Sequence, residues 1–160
     1  MTVTTDIVQS YLRPRAVLRA RTETVREDRA LATIMGAAAL IFVAQWPQAA
    51  RLAHSDPSVP LDARLGGALM GVMFLLPLLC YVLAAVSHLV ARIFGGAGSF
   101  FSARMALFQA LLSISPLMLL QGLVAGFIGA GGQLTLVNLV IGMAFLWIWL
   151  NMLVEAEKRR

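Results

Sequence analysis

The chain has 160 residues, 59% of them hydrophobic and 13% charged, with a mean hydropathy of +0.81 that a soluble domain of this length does not normally tolerate. Its net charge of +5 does not point to nucleic acid, because the basic residues hug the ends of apolar stretches and cluster densely only before the first of them. A single cysteine, Cys80, excludes an intrachain disulfide and a thiolate metal site.

Residues 1–29 hold no apolar core of the kind a cleavable signal needs, so the first apolar stretch is expected to act as the insertion signal. Two short amphipathic helices are expected here, lying along the membrane surface. In the first, Asp6 is placed to cap while Ile7, Val8, Tyr11 and Leu12 recur at helical spacing; Pro14 breaks it and starts the second. In the second, Val17, Leu18 and Val25 line one face, and Arg15, Arg19 and Arg26 line the other. With Arg13, these arginines are the candidates for contact with lipid headgroups. Thr24 with Glu27 three residues on forms a capping box that predicts the start of the next helix near Val25.

Four apolar stretches follow: Ala30 to Trp46, Leu65 to Val90, Met105 to Ile128 and Leu134 to Val154. None carries a charge in its interior, and each is long enough to cross a hydrocarbon core, which takes about 17 to 25 residues. Backbone polar groups in lipid must be paired internally, and the alternation of a barrel strand is absent, so the fold class is an all-α, polytopic bundle of four spans. Residues 30–154 form that bundle and 155–160 a short tail.

Basic residues orient it. Arg13, Arg15, Arg19, Arg21, Arg26 and Arg29 precede the first span, Arg92 and Arg104 occupy the second loop, and Lys158, Arg159 and Arg160 the tail. The first outer loop holds only Arg51 and Arg64, and the third loop, around Gly129 to Gly132, holds none. Both termini are therefore expected in the cytoplasm. The excess of arginine over lysine fits a GC-rich bacterial genome, hence an inner membrane. Trp46, Trp147 and Trp149 lie near span ends, where indole rings favour the headgroup layer.

Ion pumps and voltage sensors keep charged side chains within the membrane, whereas these spans hold none, so proton or ion relays are not expected. No paired intramembrane carboxylates, G-x-S-x-G or H-E-x-x-H is present, and the chain reads as a non-enzyme. Gln109, Ser113, Ser115, Gln121, Asn138 and Asn151 are polar residues suited to hydrogen bonds between helices. Gly67 with Gly71 and Gly122 with Gly126 are spaced for close helix approach, within the chain or to a partner. Pro77 and Pro116 each free a carbonyl four residues back, Met73 and Leu112, and bend their helices; a substrate path between them is the minority reading.

His88 lies near the end of the second span, four residues after Ala84. It reads as an interfacial histidine whose tip reaches water, with a haem or pigment ligand as the alternative. His54, Asp56 and Asp62 share the outer loop, but a turn through Pro57 and Pro60 explains their setting, and neither a metal nor a cofactor is assigned.

The stretch from His88 to Phe100, with Gly95-Gly96-Ala97-Gly98-Ser99 inside it, and the later Ser113-Ile114-Ser115-Pro116-Leu117 resemble the central part of Yip1-family membrane proteins. The Arg13-Pro14-Arg15-Ala16 segment is similar to the family's juxtamembrane stretch. The resemblance implies a protein that is not an enzyme; eukaryotic relatives have cytosolic amino termini, associate with small GTPases and with each other, and act in membrane trafficking and shaping. This chain shows four spans where the family usually has five. Its glycine run lacks the Gly-Lys-Ser/Thr ending of a phosphate loop and reads as a tight hairpin, with positive φ available at Gly95, Gly96 and Gly98.

The expected function is that of a non-catalytic membrane protein binding lipids and either another membrane protein or further copies of itself, as an organiser of the inner membrane or an accessory subunit. A small transporter or channel for a neutral or apolar substrate is the alternative, as is a pigment- or haem-bearing subunit through His88.

Overall fold

The computed structural model describes residues 3–23 and 26–158. It consists of α1 (Val3–Leu12), α2 (Pro14–Thr22), α3 (Glu27–Ser55), α4 (Leu61–Leu69), a π-helical turn (Met70–Leu75), α5 (Leu76–Ile93), α6 (Phe100–Phe127) and α7 (Gly132–Ala156). Among the described residues, four continuous helices are long and apolar enough to cross a membrane: Glu27–Ser55, Leu61–Ile93, Phe100–Phe127 and Gly132–Ala156. The helices begin before the apolar stretches of the sequence and mostly outrun them, because helical hydrogen bonding does not stop where charge resumes.

Helix α6 is the centre of the bundle. It has no polar stripe, so it is stable only when surrounded. Packed around it are α3, α5, α7 and the pair α1–α2, which leaves Met105, Leu107 and Phe108 with no exposed surface. Ile34 of α3, Ala84 of α5 and Ile148 and Met152 of α7 complete this core.

The first span differs most from its expected bounds. It continues beyond Trp46, through Pro47, to Ser55. Proline inside a helix removes one hydrogen bond, yet here its ring fills the space left by a glycine on α6: a Cβ on Gly126 would collide with the Pro47 side chain. One turn earlier, a Cβ on Gly122 would collide with the Ala44 carbonyl. This pair of glycines therefore lets α3 and α6 cross at backbone distance. Gly67 of α4 and Gly71 of the π turn have no neighbour within 4 Å of the Cβ position and leave their face of this span open.

The prolines of the second and third spans are absorbed differently. Ahead of Pro77 the helix widens into the π turn, in which the Leu76 N–H reaches the carbonyl of Gly71 five residues back. At Pro116 side chains step in: the Ser115 hydroxyl donates to the Leu112 carbonyl at 2.8 Å, and the Tyr11 hydroxyl of α1 donates to the Ser113 carbonyl at 2.7 Å.

The two arginines that flank the turn between α3 and α4 both serve the fold. Arg51 donates to the Gly126 and Phe127 carbonyls at 3.2 and 3.0 Å, closing the C-terminal end of α6. Arg64 donates to the Val59 carbonyl and to Asp56, bracing the turn that precedes α4.

Helices α1 and α2 form where the amphipathic pattern expects them, broken at Pro14. They are folded into a hairpin packed on the bundle, with Val17 and Leu18 in the protein core. Asp6 lies inside α1 and does not cap it. Thr24 and Val25 lie outside the described residues, as do Arg159 and Arg160, and α3 begins at Glu27, with Arg26 at its N-cap position.

Candidate functional site

The charged and polar side chains gather at the end of the bundle where α5 passes into α6 and α7 finishes. The glycine run makes this possible, and each glycine has its own reason. Gly95, at φ 88°, ends α5: its N–H bonds the Arg92 carbonyl at 3.0 Å while the Gly96 N–H bonds the Ala91 carbonyl at 2.9 Å, a Schellman closure. Gly96 and Gly98 do not use positive φ, contrary to the sequence expectation. They make room. A Cβ on Gly96 would lie 2.8 Å from the Glu157 carboxylate, and one on Gly98 would collide with the Ala156 carbonyl. Ser99 then caps α6 in a reciprocal box with Ser102, whose hydroxyl also donates to the Ala156 carbonyl at 3.1 Å.

Glu157 closes the turn over the end of α7. Its backbone carbonyl accepts from the Ala97 N–H at 2.9 Å, and its carboxylate accepts from the Gly98 N–H at 3.2 Å. The other carboxylate oxygen is 2.6 Å from Nδ1 of His88. His88 is thus buried rather than reaching water, at 2% exposure, with its ring 4.3 Å from that of Phe100. Ala84, one turn earlier, is wholly buried.

The hairpin is tied to the same end. Arg19 pairs with Glu155, which also meets the Lys158 ammonium at 2.9 Å. The hydrogen bond from Arg19 and the charge of Glu155 together raise the pKa of the guanidinium. Four residues earlier on both helices, Arg15 donates to Asn151 at 3.1 Å, so α2 runs parallel to the end of α7. Arg21 forks onto Asp6 at 2.6 and 2.9 Å, joining the open end of the hairpin. From there α1 dips beside α6: Ser10 meets the fully buried Gln109 at 3.5 Å, and Tyr11 reaches Ser113, with burial raising the pKa of its phenol. On the far side Arg104 joins Glu27 of α3 at 2.6 Å and stands 5.5 Å from the ring of Tyr81.

Two concavities flank this arrangement. Arg13, Arg15 and Arg19 line a groove of about 550 Å³ between α2 and α7, beside Trp147; Arg26 stands apart at the start of α3. A second, apolar crevice of about 450 Å³ opens between α5 and α7 over Leu111, Ile114 and Met118, with Asn138 at its edge. Its lining includes Leu76 and Leu79, beside Pro77, and Ile114 and Met118, beside Pro116.

Sequence reading missed Tyr11, Asp6 as a partner of Arg21, and the two carboxylates Glu155 and Glu157. The signal available was charge: two glutamates directly after the last apolar stretch face a pre-span segment rich in arginine.

The Yip1 domain family model matches residues 8–160, which takes in the four spans, the glycine turn and α2. The chain belongs to the Yip1 family. It is a multi-pass membrane protein. No curated protein and no solved structure was found to match it. In this Yip1 domain the glycine turn is an anchoring device: it brings the end of α7 against the start of α6.

Proposed function

We propose that this Yip1-family chain is a non-catalytic membrane protein that binds lipid and protein partners, as an organiser of the bilayer or an accessory subunit of a larger complex. One observation carries the reading. The buried ionisable side chains Asp6, His88, Glu155 and Glu157 are each engaged in an intrachain pair at one end of the bundle. They fasten the fold there, while the open glycine face of α4 and the outer faces of α5 and α7 stay apolar and exposed, as surfaces for other membrane components.

Both termini are assigned to the cytoplasmic face of an inner membrane. The basic loops support this, and the two exceptions, Arg51 and Arg64, are committed to intrachain bonds. A carrier for a neutral or apolar substrate is the second reading, favoured by the crevice between α5 and α7. Purification in mild detergent followed by mass spectrometry of intact assemblies separates the two. A stoichiometric protein partner, a homo-oligomer or retained phospholipid is the expected result. A bare monodisperse chain overturns the proposal, and a retained small apolar molecule alone transfers the assignment to the carrier.

A further inference from the structure

We propose that the groove between α2 and α7 binds one anionic phospholipid, its phosphodiester held by Arg13 and Arg15 and its acyl chains laid along Trp147 and the outer face of α7. This rests on the partner-binding reading above and names the lipid class for one site.

The charges define the headgroup. Arg19 is taken up by Glu155, and Arg15 is hydrogen-bonded only to the neutral Asn151, so Arg13 and Arg15 have no carboxylate partner among the described residues. Glu23 also borders the groove, but it follows Arg15 by two helical turns, at the open end of the hairpin. The potential at the closed end is therefore positive and uncompensated.

Depth defines the source of the phosphate. Arg19 lies against Glu155 and Arg15 against Asn151, so the start of α2 lies away from the charged end of α7, and Arg13, in the turn just before α2, lines the groove together with Trp147. From Glu155 to Trp147 is eight residues, about 12 Å along the helix. A planar guanidinium held beside apolar surface favours an oxyanion that offers it two oxygens, as the non-bridging oxygens of a phosphodiester do. At this site Leu12 is 81% exposed and Trp147 61%, and both present apolar surface to whatever bears the anion. Free phosphate uses neither. A lipid uses both, with the indole at headgroup level and the chains below it. The groove volume of about 550 Å³ suits a single headgroup with the first segments of its chains.

Trp147 is the natural reporter. The full chain carrying Trp46→Phe and Trp149→Phe, in nanodiscs of phosphatidylcholine, is titrated with brominated phosphatidylglycerol or, in a parallel arm, with brominated phosphatidylcholine. Quenching of Trp147 should favour the anionic lipid by roughly tenfold or more, the scale that two arginines confer on an anionic headgroup, and Arg13→Gln/Arg15→Gln should abolish the preference. Equal quenching by the two lipids, or a preference that survives the double substitution, overturns the site. So does loss of the preference on adding inorganic phosphate, because the groove would then read the free anion. Intact-assembly mass spectrometry of the unaltered chain gives an independent reading: retained phosphatidylglycerol that disappears with Arg13→Gln/Arg15→Gln supports the site, and indiscriminate retention overturns it. A protein partner that co-purifies while lipid preference is absent would overturn this inference alone and leave the wider function standing.

Discussion

Gly98 shows how little space separates the α5–α6 turn from α7, since a single added carbon would collide with the Ala156 carbonyl. Gly98→Ala should therefore destabilise the domain by about 1 to 3 kcal/mol, because backbone on both sides would have to move. Gly95→Ala strains φ alone and should cost about 1 kcal/mol. Unfolding by a denaturing detergent measures both; an equal loss would show that α7 gives way easily. The buried partnership of His88 and Glu157 supplies a second case. Glu157→Ala strands the imidazole and the Gly98 N–H and should cost about 1 to 3 kcal/mol, whereas His88→Phe with Glu157→Leu should recover much of it. In the turn between α3 and α4, hydrogen bonds from the Ser58 hydroxyl and amide, with help from Arg64, hold the Asp56 carboxyl below its ordinary 3.8. A depressed folded-state pKa means that the turn has its full contribution above 3.8 and loses it as pH falls through the lower folded value. Faster amide exchange at Ser58 on acidification, beyond the intrinsic pH effect, is the expected readout.

At the level of helices, the two glycine pairs make opposite predictions although the sequence spaces them alike. Gly122→Ala should weaken the α3–α6 crossing by about 1 to 3 kcal/mol, and Gly67→Ala should stay within about 0.5 kcal/mol in the isolated chain. If Gly67→Ala instead dissociates a purified complex, the open face of α4 is where a partner sits. The spans themselves were legible because uncharged runs of this length leave lipid-crossing helices as the one economical outcome. Pro47 was not legible as an interior residue: proline and the polar residues after it read as a helix end, and only the missing Cβ of Gly126 makes a continuation favourable. Likewise, apolar spacing showed that Val17 and Leu18 share a face but not whether that face meets lipid or protein. Their neighbours come from α6 and α7, roughly a hundred residues away in sequence, and local periodicity carries no information at that range.

On the scale of the whole molecule, charge is concentrated at one end and the hairpin closes that end like a bracket. Removing residues 3–23 should leave the four spans inserted, since their apolar windows are untouched, but should unpair Glu155 from Arg19 and leave the Ser113 carbonyl without Tyr11. Protease accessibility and cysteine labelling in intact vesicles would register this as unchanged topology with a loosened basic rim. Failure to insert would show that the hairpin takes part in membrane entry. The residues that hold the hairpin also set a timetable. Arg15 and Arg19 find Asn151 and Glu155 across 136 residues of chain. The hairpin, which is synthesised before α7, consequently cannot make these bonds until α7 exists. Until α7 has been made and has crossed the bilayer, α1 and α2 have no native seat on it, and their arginines remain exposed to whatever acidic surface the nascent chain meets.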